Sequence, residues 1–357
     1  MKEQAKKITI KDVARMAGVS KGTVDRVLHN RGEVSQASKE RVLEVIRKID
    51  YKPNIYASML ASKKSYRFVC LIPGFRPGEY WEMVHKDIQK AIERTRNFSY
   101  EIEVVFYNQF ELESFRDACR KVLETPPDAV LLAPIFRDST VAFTAELGRL
   151  QIPFVYIDSK IDHTNYLAYF GMPLYESGYL AASLLLKHQQ VTELANFRLE
   201  RGGGPQDNPT LARREGFLTY VKENNPDLQI YNAFLKPYDP VQNLRTLDTF
   251  FDEHPDVKHI VMFNSRVHLI SEYLESHGLH DKVVLGYDLL GRNIEGLKKG
   301  VVDYIIAQRT ETQVYRGIMA MIEYFAFKKS PVSHDNFMSL DIITKDNLTF
   351  YFDVQEF

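Results

Sequence analysis

The chain has 357 residues, is 45% apolar and 26% charged, and carries two cysteines and a formal net charge of −1. That composition excludes a disulfide framework, a closed cysteine zinc site and a sparsely apolar disordered chain. No apolar run reaches the ~18 residues of a membrane span. The first residues, MKEQAKKITIKD, are basic but have no apolar stretch behind them. No secretory signal is therefore expected, and the expected location is the cytoplasm. At roughly 150 residues per domain the length suggests two or three domains, large enough to need neither metal nor cofactor for stability. The near-neutral total hides an asymmetry: residues 1–65 hold 15 Lys/Arg against 7 Asp/Glu, while residues 66–357 hold 31 against 40. A small basic head on a larger acidic body points to a head that binds a polyanion.

Within the head, Thr9 can cap a first helix with Asp12 at N3, and Ile10, Val13, Ala14 and Ala17 form its apolar stripe. Gly18 supplies a turn. Ser20 caps a second helix running to about Leu28, with Val24, Val27 and Leu28 inward. Asn30, Arg31 and Gly32 break the chain. Ser35 caps a third helix striped by Val42, Val45, Ile46 and Ile49, which Pro53 ends. Three short helices with glycine in the first turn form a helix-turn-helix, whose second helix enters the major groove N-terminus first. Its outward residues are Lys21, Gly22, Thr23, Asp25, Arg26 and His29. Arg26 can reach guanine O6 and N7, and the amides behind Ser20 and Thr23 suit a phosphate.

The head resembles the DNA-binding head of the LacI/GalR family of bacterial transcription regulators. The resemblance rests on D-V-A-x-x-A-G-V-S (Asp12 to Ser20), T-V-x-R-V-L (Thr23 to Leu28), V-S (Val34, Ser35), Y-x-P-N (Tyr51 to Asn54) and L-A (Leu60, Ala61). It implies DNA contacts from Ser20, Lys21, Gly22, Thr23, Arg26 and His29. It also implies a hinge helix over Ile55 to Ala61 that brings Asn54, Ala57, Leu60 and Ala61 to the DNA, with Leu60 as a minor-groove wedge. Asp25 stands where the family usually has serine, and Gly22 removes a side chain that often reads a base. These departures bear on the preferred operator, not on DNA binding.

From Arg67 onward strands and helices alternate. The expected strands include Phe68–Ile72, Ile102–Tyr107, Ala129–Ala133 and Phe154–Ile157. After Gly171 the rhythm restarts, with strands at Glu193–Leu199, Gln229–Leu235, His259–Met262, Val283–Tyr287 and Tyr304–Ala307. Two runs of this kind argue two similar lobes, each a doubly wound α/β parallel sheet. Ligands in such sheets lie beyond the carboxyl ends of the strands. Aromatics, Asp, Arg, Asn and Gln follow those ends here, a mixture suited to a polyol: rings cover C–H faces while carboxylates, amides and guanidinium hold hydroxyls. Arg76, Arg137, Arg266 and Arg309 also follow strand ends and leave room for an anionic effector.

The body resembles the type I periplasmic-binding-protein fold that LacI/GalR regulators share with sugar-binding proteins. The matching motifs are Tyr80-Trp81, P-F-V-Y-I-D (Pro153 to Asp158), A-R-R-E-G-F (Ala212 to Phe217), Phe263-Asn264, G-Y-D (Gly286 to Asp288) and I-A-Q (Ile306 to Gln308). This implies Tyr80 and Trp81 as stacking rings and Asp158, Arg213, Asn264, Asp288 and Gln308 as hydroxyl-binding groups. Phe75, Phe136 and Tyr238 are further candidates, divided between lining and packing, and a core position on its helix stripe is the alternative for Trp81.

The expected organisation is a head over residues 1–53, a hinge and linker over 54–65, and an effector domain over 66–357. Its N-lobe takes about 66–171 and 309–330, and its C-lobe about 172–308 and 331–357. The expected function is that of a ligand-responsive regulator, a repressor, binding a pseudo-palindromic operator as a homodimer and a small sugar between its lobes. A regulator sensing a nucleobase or sugar phosphate is the alternative, and a solute-binding protein without DNA function is a remoter one. No converging nucleophile–base or metal set points to an enzyme. The C-terminus shows no leucine heptad, so a dimer is expected rather than a coiled-coil tetramer.

Overall fold

The structure, a computed structural model, describes residues 9–28, 32–49, 65–187, 190–200, 208–327 and 329–353. It divides into two compact units. One gathers the residues up to Tyr66 with Thr95–Glu101 and Ile322–Ser330; the other holds the rest.

In the first unit lie helices α1 (Ile10–Ala17), α2 (Lys21–Leu28) and α3 (Gln36–Lys48). Each begins where a side chain satisfies the free amides of a first turn. The Thr9 amide donates to Asp12 Oδ2 at 2.9 Å in a capping box, and the Thr23 amide donates to Ser20 Oγ at 3.1 Å. The Ser38 amide donates to Ser35 Oγ at 3.4 Å. Gly18 closes α1 in the left-handed region at φ 64°, which glycine adopts without a Cβ penalty. Val13, Ala14, Ala17, Val24 and Val42 form a small core. Also in this unit, the Tyr66 amide donates to Ser99 O at 3.2 Å, and the Tyr66 ring lies 4.9 Å from Phe325.

Two six-stranded sheets make up most of the second unit, with Tyr66, Tyr100, Glu101 and residues 322–327 of their elements counted in the first. The elements of the first run are β1 (Tyr66–Pro73), α4 (Tyr80–Arg94), β2 (Tyr100–Tyr107), α5 (Leu112–Glu124), β3 (Ala129–Leu132), α6 (Arg137–Arg149), β4 (Phe154–Ile157) and β5 (Ala168–Gly171). The second run is α7 (Leu174–Leu186), β6 (Glu193–Leu199), α8 (Asn208–Asn224), β7 (Gln229–Leu235), α9 (Pro240–Glu253) and β8 (His259–Val261). It continues with α10 (His268–Ser276), β9 (Val283–Tyr287), α11 (Gly291–Lys299) and β10 (Tyr304–Ala307). The chain then adds α12 (Thr310–Phe327), β11 (Asp335–Phe337), β12 (Asp341–Ile343) and α13 (Leu348–Asp353).

The sheet orders are β11-β5-β4-β3-β1-β2 and β12-β10-β9-β8-β6-β7. The second run thus repeats the order of the first, and β4 and β9 occupy equivalent places. β1, β3, β4 and β5 pair in parallel, as do β6 with β7 and β8, and β9 with β8 and β10. The inner strands β3, β4 and β9 are wholly apolar because helices cover both faces, whereas β6 and β7 carry Glu193, Asn196, Arg198, Gln229 and Asn232.

One detail differs from the sequence reading. The division at 330/331 is displaced, because Asp335–Phe337 pairs with β5 in the first sheet and only Asp341–Ile343 joins the second, antiparallel to β10. A three-residue polar strand has no period to reveal it; the non-local pairing decides. The hinge residues Asn54, Ala57, Leu60 and Ala61, with His29, lie outside the described residues. Among the described residues no helix is long and apolar enough to cross a membrane.

Helices α7 and α8 cross on two glycines. A Cβ on Gly178 would fall 1.7 Å from Arg213 O, and one on Gly216 would fall 1.9 Å from Tyr175 O. Backbone therefore touches backbone, which sets where α8 presents Arg213. Gly178→Ala is expected to cost about 1–3 kcal/mol through overpacking. Urea denaturation of the variant checks this, and an unchanged midpoint would show that the crossing relaxes freely.

Candidate functional site

In the first unit, Ser20, Lys21, Gly22 and Arg26 are exposed and Thr23 half-buried on one side of α2, opposite buried Val24. Ser20 and Thr23 hydroxyls lie 2.9 Å apart, so the N-terminus of α2 is organised before any partner arrives. The face presents two cations and free first-turn amides, the equipment for a phosphate backbone and a guanine edge.

In the second unit, a cavity of about 290 Å³ opens between the carboxyl ends of the two sheets. Tyr80, Trp81, Asp158, Arg213, Asn264, Asp288 and Gln308 all line it. Asp158 follows β4 and Asp288 follows β9, and both adopt left-handed backbone, φ 65° and 69°. Aspartate tolerates that region better than most residues. The repeat of the fold thus delivers one carboxylate from each lobe to the same cleft.

Tyr80 opens α4 and donates from its hydroxyl to Asp158 Oδ1 at 2.8 Å, and its ring meets Trp81 edge-on. The Asp158 amide donates to Gln313 Oε1 at 3.2 Å, and the Tyr169 hydroxyl reaches Asp158 O at 3.1 Å. Gln308 Nε2 donates to Asp288 Oδ1 at 2.9 Å. Asn264 Oδ1 accepts the Arg266 amide at 3.0 Å, so it caps its own turn while lining the cleft.

Arg213 is 3% exposed. Its Nη1 donates to Phe263 O at 2.7 Å, its guanidinium lies 4.2 Å over the Tyr287 ring, and its Nε has no partner among the described residues. Burial works against its charge, but Tyr287, Asp288 and Asp158 outweigh that and hold it protonated. Burial pushes Asp288 up to about 6, against the opposing pull of Arg213 and Gln308, with Asp158 adding to the rise. Burial and the two aspartates keep the Tyr80 phenol neutral.

Arg266, Arg292, Arg309 and Arg76 have partners. Arg266 Nη2 donates to Glu79 Oε1 at 2.7 Å, a bridge from one lobe to the other, and its Nη1 to Pro237 O at 2.6 Å. Arg292 pairs with Glu272, and Arg309 with Asp341. Arg76 is exposed and lies 3.5 Å over the Tyr238 ring.

Phe75 is not on the cavity wall. Past Gly74, whose amide donates to Tyr107 O at 2.7 Å, its ring packs with His85 and Phe106. Phe136 packs with Tyr107 and Phe115, whereas Tyr238 does line the cleft. Sequence reading missed His268 and Thr210 on the wall and Gln313 behind Asp158. All three lie on helices (α10, α8, α12), away from the strand ends and the family motifs that mark the other candidates.

A family model described as "Bacterial regulatory proteins, lacI family" matches residues 9–54, and one described as "Periplasmic binding protein domain" matches residues 69–329. The chain is 25% identical over 286 residues to a ribose operon repressor from Lactococcus lactis, spanning 78% of this chain and 80% of that protein. It is 38% identical to a chain from Bacteroides fragilis assigned as a LacI transcriptional regulator, whose crystal structure superposes with a TM-score of 0.77 and covers 81% of this chain and 100% of that one. A carbohydrate transporter solute binding protein from Agrobacterium radiobacter, solved with D-arabinose, is alike in fold alone. Its TM-score is 0.70 at 16% identity, over 81% of this chain and 97% of that one.

The raised Asp288 has a measurable sign. The neutral carboxyl is the form the fold favours, so its contribution is complete below the ordinary carboxylate range and is lost as pH rises through about 6. Relative to Asp288→Asn, which cannot ionise, the ligand-free wild type is expected to lose about 3 kcal/mol between pH 3.5 and 7.5. Urea unfolding of both proteins across that range checks this. Parallel curves would place Asp288 in a solvated, ordinary site.

Proposed function

The chain belongs to the LacI family of bacterial regulatory proteins, and we propose that it represses transcription under the control of a neutral sugar or related polyol held between its two lobes. The observation that carries the sugar reading is the charge and hydrogen-bond balance of the cleft. Two carboxylates face one buried arginine, and the remaining wall arginines are occupied by Glu79, Glu272 or the Tyr238 ring. A phosphate or carboxylate ligand would meet Asp158 and Asp288 with no uncommitted buried cation among the described residues of the wall to offset them. A hydroxyl both donates and accepts. It can donate to the Asp158 and Asp288 carboxylates on the cleft wall. Tyr80 and Trp81 offer rings to the C–H face of a sugar.

On this reading Lys21, Thr23 and Arg26 read and grip one half-site, and a homodimer supplies the second head for a pseudo-palindromic operator. The protein would act in the cytoplasm. The sugar alters operator affinity only to the extent that it binds the two lobe arrangements differently, and DNA must alter sugar affinity by the same factor. The relative named as a ribose operon repressor makes pentoses the first probes.

A thermal-shift series against pentoses, hexoses, sugar phosphates and nucleobases tests the effector class. A neutral sugar at about a hundred times its Kd is expected to stabilise by roughly 2.7 kcal/mol, a shift of several degrees that Arg213→Ala abolishes. Stabilisation by phosphorylated sugars alone would overturn the neutral-polyol reading. For the head, Arg26→Ala is expected to weaken specific operator binding by about 1–3 kcal/mol and relax one base preference, read by fluorescence anisotropy at fixed salt. Equal loss on random and operator DNA would reduce Arg26 to a phosphate contact.

A further inference from the structure

We propose that His268 is a specificity-determining residue of the cleft, a fixed hydrogen-bond acceptor whose Nε2 receives a hydroxyl proton from the bound sugar. The inference rests on the polyol reading of the cleft and deepens it. His268 opens α10, is 7% exposed and stands on the cavity wall. Its Nδ1 lies 2.9 Å from Asn293 Oδ1, which also accepts the His268 amide at 3.1 Å.

The orientation of the Asn293 amide is determined by its other end. Nδ2 donates to Ser265 O at 2.9 Å, Tyr287 O at 3.2 Å and Asp288 O at 2.9 Å. With three carbonyls around the nitrogen, the oxygen must face His268, and an oxygen acceptor requires the proton on Nδ1. Burial, with Arg292 nearby, pulls the imidazole down to about 4, so the ring is neutral at physiological pH. A neutral imidazole with its proton on Nδ1 carries a lone pair on Nε2. Nε2 has no hydrogen-bond partner among the described residues, and it is not among their fully enclosed unpartnered atoms. It is thus an accessible acceptor on a residue of the cavity wall. Asn293 ties this acceptor to the carbonyl of Asp288, so the two ligand-facing groups keep a constant spacing.

Calorimetric titration of the full chain with aldopentoses and aldohexoses, then with every monodeoxy derivative of the tightest sugar, tests the assignment. His268→Asn keeps a donor for Asn293 and removes Nε2. One monodeoxy sugar is expected to bind wild type about tenfold more weakly than its parent. H268N should bind the parent about tenfold more weakly and no longer distinguish it from that derivative. His268→Gln, with an amide oxygen at the reach of Nε2, should recover part of the discrimination. Unfolding of each variant without ligand separates binding from folding. If H268N fails to fold, the recovery or loss of discrimination in H268Q decides. Wild-type affinity and discrimination in H268N would overturn the role of His268 and leave the sugar reading standing. Failure of every sugar to bind wild type would overturn both.

Discussion

A guanidinium buried to 3% exposure cannot persist without compensation, and the surroundings of Arg213 are organised around supplying it. Its helix is brought close by a glycine-on-glycine crossing, its Nη1 is held by the Phe263 carbonyl, and Tyr287 offers it a ring face. Its charge is offset by two carboxylates from different lobes, Asp158 after β4 and Asp288 after β9. Asp288 travels with the lobe that carries Arg213, whereas Asp158 is contributed by the other. The arginine is therefore fully compensated only when the two lobes stand together. The charge balance of Arg213 thus draws on carboxylates from both lobes.

The second lobe-to-lobe contact, Arg266 with Glu79, belongs to the same design from the opposite direction. Its side chains are only 11% and 17% exposed, so the pair is sheltered, and the guanidinium is also held by Pro237 O. A sheltered pair across a cleft favours the closed arrangement without a ligand, and ligand contacts add to that bias. Among the described residues, the wall arginines Arg266 and Arg292 are held by carboxylates and Arg76 stacks on the Tyr238 ring.

Much of this was legible in the chain because it depends on neighbours in sequence. Thr9 with Asp12, Ser20 with Thr23 and Ser35 with Ser38 cap their helices as short-range spacing predicts, and Val13, Ala14, Ala17, Val24 and Val42 meet in the core their periodicity implies. The repeat of strands and helices announced two lobes. Reading the residue after each strand found Asp158, Asp288, Asn264 and Gln308, since parallel sheets direct those positions into a cleft.

Other features were decided only in three dimensions. Phe75 follows β1 as a lining residue should, yet its ring turns to His85 and Phe106 because the edge strand offers apolar surface there. Asp335–Phe337 joins the first sheet through pairing with a strand more than 160 residues earlier, which no local pattern encodes. Whether Arg266 was a free cation or a spent one depended on where α4 placed Glu79, and the tautomer of His268 on three carbonyls gathered around Asn293. Period, caps and turn chemistry are properties of neighbouring residues, and so the sequence alone determined the elements and the positions that open on the cleft. Charge pairing, amide orientation and strand partnership join residues distant in the chain, and only the folded packing could choose among them.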